Sequence, residues 1–63
     1  MPVIRVELFE GRTIEQKREF AEVVTRETVR ILKSSAEDVQ IIFTDISKDN
    51  WADAGRLCSD PQE

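Results

Sequence analysis

Met1-Pro2-Val3-Ile4-Arg5-Val6-Glu7-Leu8-Phe9-Glu10-Gly11-Arg12 opens the chain, and its reading decides the fold. Ile4, Val6 and Leu8 recur at period two and share one face of a strand; Val3, Arg5, Glu7 and Phe9 share the other. The first face is apolar and expected to be firmly buried, the second is mixed. Glu10-Gly11-Arg12 ends the strand as a turn, where Gly11 permits a bend that other residues resist. Pro2 stands just before the strand. If Met1 is removed, Pro2 becomes the N-terminus and offers a secondary amine. A free α-amine has an ordinary pKa of about 7.7–8.0, which burial and a nearby cation lower. A neutral amine near pH 7 is a general base, and the Arg12 guanidinium is a fork for a carboxylate.

Working outward, Thr13-Ile14-Glu15-Gln16 has the pattern of a capping box, with Thr13 bonding the amide of Gln16 and the Gln16 side chain returning the bond. A helix is predicted from there to about Lys33, with Phe20, Val24, Thr28 and Ile31 at helical spacing and Ala21 and Leu32 beside them. Glu15, Lys17, Arg18, Glu22, Arg26 and Arg30 make its wet side, where Glu22 and Arg26 form a favourable i,i+4 pair. A second strand is predicted over Val39–Ile46. Val39, Ile41 and Phe43 alternate with Gln40, Ile42 and Thr44, so both faces are largely apolar, as in a strand covered on both sides. Two strands joined by a helix form a parallel βαβ unit with a right-handed crossover. From Ser47 the chain turns polar without a helical period, and Ser59–Glu63 reads as a frayed tail.

Sixty-three residues bound the chain to a single domain, 1–63. A chain this short buries only about 60% of the surface its unfolded form exposes. Disulfides, a metal or oligomerisation usually make up the deficit. Cys58 is the only cysteine and histidine is absent, which argues against a disulfide or a zinc site and leaves oligomerisation. One helix cannot cover Ile42, Phe43 and its own back, so further copies are expected there. The net charge of −4 argues against non-specific nucleic-acid binding. No apolar run reaches the ~20 residues of a membrane span. One free thiol and no export signal fit the cytoplasm.

Taken together, Met1-Pro2, Glu10-Gly11-Arg12-Thr13, Glu15-Gln16-Lys17, the apolar second strand, and a lysine and an aromatic near position 50 resemble the 4-oxalocrotonate tautomerase family, from Pro2 to about Leu57. The resemblance implies an α+β, βαβ fold with a two-stranded parallel sheet and one crossover helix per chain. It implies dimers with a four-stranded sheet and a homohexamer of three dimers. It implies no metal and no cofactor, and an isomerase of aromatic catabolism. The partner would be a small unsaturated oxo or hydroxy carboxylic acid. Carried onto this chain, Pro2 is the base, Arg12 binds a carboxylate, and Trp51 is the aromatic wall that keeps the site dry.

Two departures qualify the likeness. Family members carry, where this chain has Gln40, an arginine that reaches the substrate from a neighbouring subunit. Either the substrate here has one carboxylate, or another cation stands in, with Arg5 the nearest candidate, or the activity is low. The second departure is Asp53, where the tautomerases have an apolar residue. The related 3-chloroacrylic acid dehalogenases activate water with an acidic residue two positions after the aromatic, as in Trp51-Ala52-Asp53. They also carry a second arginine where this chain has Phe9, so that pattern is half complete.

Each residue also has a plainer reading. Proline makes up about 5% of residues, so a Met-Pro start is common by itself. Tryptophan often anchors an interface, and Asp53 suits a solvated turn. The reading adopted is a cofactor-independent tautomerase with Pro2 as base and Arg12, Trp51, Gln40, Phe9 and Asp53 around the substrate. The alternatives are water addition to an unsaturated acid with Asp53 activating water, and a non-catalytic subunit of a hetero-oligomer.

Overall fold

Alternating apolar residues make strand β1 (Val3–Phe9), a capping box starts helix α1 (Ile14–Leu32), and an apolar run makes strand β2 (Gln40–Ile46). The computed structural model describes residues 1–61. β1 and β2 pair in parallel, with Val3 beside Gln40, Val6 beside Phe43 and Phe9 beside Ile46. The second strand begins one residue later than its alternation predicts, because the Val39 N–H is taken by the carbonyl of Ala36 in a 3₁₀ turn over Ala36–Asp38.

Both bonds of the capping box form: the Gln16 N–H donates to Thr13 Oγ1 at 3.0 Å, and the Thr13 N–H donates to Gln16 Oε1 at 2.9 Å. The helix stops at Leu32 because Lys33 turns left-handed at φ 60° while its N–H still reaches the carbonyl of Val29. On the wet side the ion pair is Arg30 with Glu27 at 2.7 Å. Among the described residues Glu22 and Arg26 do not close the pair that their spacing predicts, and such exposed pairs contribute little in any case.

α1 lies on the sheet face made by Ile4, Val6 and Leu8 with Ile41 and Phe43. Phe20 meets Phe43 edge-on at 5.9 Å between ring centroids. Lys17 crosses the same face to Asp45, Nζ to Oδ2, at 2.7 Å. Yet no described residue is buried, and Ile4, Val6 and Leu8 are only half-buried. The expected firm burial is not reached within one chain, because a single helix covers too little. Val3, Phe20, Ile31, Leu32 and Ile42 are exposed. No helix is long and apolar enough to cross a membrane.

After β2, Ser47 caps a 3₁₀ turn over Lys48–Asn50 by accepting the Asp49 N–H at 3.1 Å. A hairpin follows that no periodicity announces: β3 (Ala52–Asp53) against β4 (Arg56–Leu57), antiparallel. Its central residues Ala54 and Gly55 have φ of 54° and 80°, the positive values that a type I′ hairpin turn requires. The tail expected to fray is tied down through Pro61: the Asp60 N–H donates to the Leu57 carbonyl at 3.0 Å and Arg56 Nη2 to the Pro61 carbonyl at 2.8 Å. Gln62 and Glu63 lie outside the described residues.

Candidate active site

The two strands run the same way, so the fold has a Pro2 end and a Phe9 end. The singled-out residues divide between them. At the first end, the Gln40 N–H donates to the Pro2 carbonyl at 3.0 Å, which fixes Pro2 against the start of β2. Pro2 is half-buried, whereas Met1 is 81% exposed. Loss of Met1 therefore removes little packing and frees an amine whose position the sheet already holds. Gln40 and Arg5 both lie on the sheet face away from α1, Gln40 paired with Val3 and Arg5 with Ile42.

At the other end, Phe9 and Trp51 pack with ring centroids 4.5 Å apart at 52°. The bond from the Cys58 N–H to the Trp51 carbonyl, at 2.8 Å, ties Trp51 to the foot of the hairpin. Asp53 is exposed on β3 and lines a cavity of about 440 Å³ with Phe9, Lys48, Ala54, Arg56, Leu57 and Cys58. Arg12 follows Gly11, whose φ of 119° only glycine adopts readily. Arg12 lines a separate cavity of about 300 Å³ between α1 and the sheet, with Lys17, Phe20 and Phe43.

Pro2 and Phe9 are separated by the length of β1, about 23 Å at roughly 3.3 Å per residue. Reacting groups must come within about 3–3.5 Å. One chain therefore brings Pro2 to Gln40, and Phe9 to Trp51, but it does not bring Pro2 to Arg12, Trp51 or Asp53. Lys48 is a residue that strand and helix periodicity passes over: its Nζ sits 5.6 Å from the Phe9 ring centroid. Arg56 is another. The available signal was compositional, since residues 34–63 contain only these two basic side chains and both line the Phe9 cavity. Among the described residues no group of three His, Cys, Asp or Glu side chains gathers to hold a metal ion.

The model of the Tautomerase family, described as tautomerase enzyme, matches residues 2–60. This chain belongs to the tautomerase family. Among its relatives is a 2-hydroxymuconate tautomerase of Bacillus subtilis, 38% identical over 60 residues, which span 95% of this chain and 97% of that protein. The crystal structure of a 4-oxalocrotonate tautomerase homologue superposes with a TM-score of 0.90 at 38% identity, covering 100% of both chains. A chain of a heterohexameric 4-oxalocrotonate tautomerase from Chloroflexus aurantiacus shares the fold at 22% identity, with a TM-score of 0.88 over 98% of this chain and 100% of that one. The tautomerase βαβ fold expected from the sequence is thus the one observed.

Proposed function

We infer that this tautomerase is a cofactor-independent isomerase of unsaturated 2-oxo or 2-hydroxy acids, with the Pro2 amine as its base. The observation that carries the reading is the setting of Pro2: half-buried, second in the chain, and anchored by the Gln40 N–H beside a largely exposed neighbour, Met1. With Met1 gone, the neutral amine takes the proton of the enol oxygen, or one from an activated carbon, and returns it at another carbon. Arg12 holds a carboxylate, and the Phe9–Trp51 pair excludes water, which strengthens charge interactions inside the site. Since one chain keeps these groups on opposite ends of β1, the site forms where the Pro2 end of one chain meets the Phe9 end of another. The family likeness and the uncovered apolar faces support a homohexamer as that assembly.

Intact mass of the purified protein should lack Met1. Pro2→Ala keeps an amine but makes it primary and mobile. Enolisation of phenylpyruvate should fall by on the order of 10²-fold, the low end of general-base contributions. An unchanged rate would remove Pro2 from the chemistry. The presence of Asp53 in the Phe9 cavity supports a second reading, water addition. It requires that Asp53→Asn abolish hydration of a 3-haloacrylate while phenylpyruvate enolisation in the parent stays at background.

A further inference from the structure

We propose that Lys48 and Arg56 form a second anion-binding position beside Phe9, distinct from Arg12, which takes a carboxylate of a flat unsaturated acid. The inference rests on the Phe9 end being part of the tautomerase site, and it assigns that end a ligand group. Its starting point is charge. The cavity is lined by two cations, Lys48 and Arg56, and one carboxylate, Asp53. The ion pairs among the described residues are Lys17 with Asp45 and Arg30 with Glu27. Neither cation of this cavity is in them, although Asp53 is the cross-strand partner of Arg56.

Both cations are held in place by other means. Ser47 caps the turn that carries Lys48 and leaves its ammonium 5.6 Å from the Phe9 ring centroid. Arg56 is fixed by the hairpin register and by the bond from Nη2 to the Pro61 carbonyl. That bond occupies one edge of the guanidinium, and the other N–H groups keep their donors for an oxygen ligand. Phe9, Leu57 and Ala54 supply apolar walls, and Phe9 is backed by Trp51 at 4.5 Å. A phenyl wall with the Lys48 ammonium over it and Arg56 lining the same cavity sets apolar surface beside positive charge, which suits an unsaturated acid ending in a carboxylate. The volume, about 440 Å³, lies in the range of small-molecule sites.

The probe is trans-cinnamate, a flat unsaturated monoacid with no enol to isomerise, and its neutral isostere cinnamamide is the control. Trp51 is the only tryptophan, so its indole N–H signal in a ¹⁵N spectrum needs no further assignment. Cinnamate should shift that signal and the Arg56 Nε–H saturably, and cinnamamide should bind at least about tenfold more weakly. Lys48→Met and Arg56→Gln should each raise the Kd of cinnamate by about tenfold or more, Lys48→Arg should restore it, and Asp53→Asn should tighten binding. Lys48→Met keeps an unbranched apolar stem, and an unchanged amide spectrum verifies its fold. Equal affinity for cinnamate and cinnamamide, or an unchanged Kd in both charge-removing variants, overturns the proposal. Because cinnamate undergoes no proton transfer here, a failed titration leaves the Pro2 reading to the phenylpyruvate assay, and a failed assay leaves this anion position standing.

Discussion

Pro2 and Gln40 are joined by one backbone hydrogen bond of 3.0 Å, so a side chain at position 40 starts out beside the proposed base. A neutral amide there donates weakly, whereas a guanidinium makes charge-assisted bonds roughly twice as strong. Gln40→Arg should therefore raise turnover of a dicarboxylic 2-hydroxymuconate-type substrate by about tenfold and leave a monocarboxylic enol little changed. Equal gains on both would mean that residue 40 does not touch the second carboxylate. The candidates Pro2, Arg12 and Trp51 stood out in the sequence because each is a special residue type at a marked place: a proline just before the first strand, an arginine after a glycine turn, the lone tryptophan. Lys48 and Arg56 were less so. Neither falls on a strand or helix period, and only the fold brings residues 9, 48 and 56 to one cavity.

At the scale of elements, β1, α1 and β2 were readable because each is long enough for its period to repeat, and because Thr13 and Gln16 mark a helix start. The hairpin of β3 and β4 was not. Strands of two residues carry no period, and Ala54 is an unusual choice at φ 54°. Left-handed backbone costs an L-residue with a Cβ about 1–2 kcal/mol, and Asn tolerates it better. Asn-Gly is also the preferred pair for a type I′ turn. Ala54→Asn should therefore stabilise the hairpin by about 1 kcal/mol. The amide of Cys58, which closes the hairpin on the Trp51 carbonyl, reports this directly: its hydrogen exchange should slow by about fivefold where exchange proceeds by local opening. An unchanged rate would show that Ala54 holds its conformation without strain.

For the whole molecule, surface is the deciding quantity. A folded monomer of 7.3 kDa should expose about 4,200 Å², and this chain exposes 5116 Å². Its radius of gyration is 15.2 Å, against about 11 Å for a compact chain of this length. On α1 Ile31 and Leu32 are exposed, and on the bare sheet face Val3 and Ile42 are exposed. Apolar surface of this kind is covered by association, so sedimentation should find several chains per particle at micromolar concentration. The unfolding midpoint should also rise with protein concentration. A stable monomer would remove the assembly, and with it any route for Pro2 to meet Trp51 across the length of β1. The geometry allows a stricter test. Pro2→Ala lacks the proposed base and Trp51→Ala lacks the wall, so each variant alone should be nearly inactive. When the two are unfolded together and refolded as mixed oligomers, an intact Pro2 end can meet an intact Trp51 end from the other variant. With random mixing about a quarter of the sites are then complete, and activity should return to about that fraction of the parent. If both groups acted within one chain, no mixture of these variants could rebuild a site. Activity that stays at the level of the separate variants, in particles shown by mass to contain both, would exclude a site shared between chains.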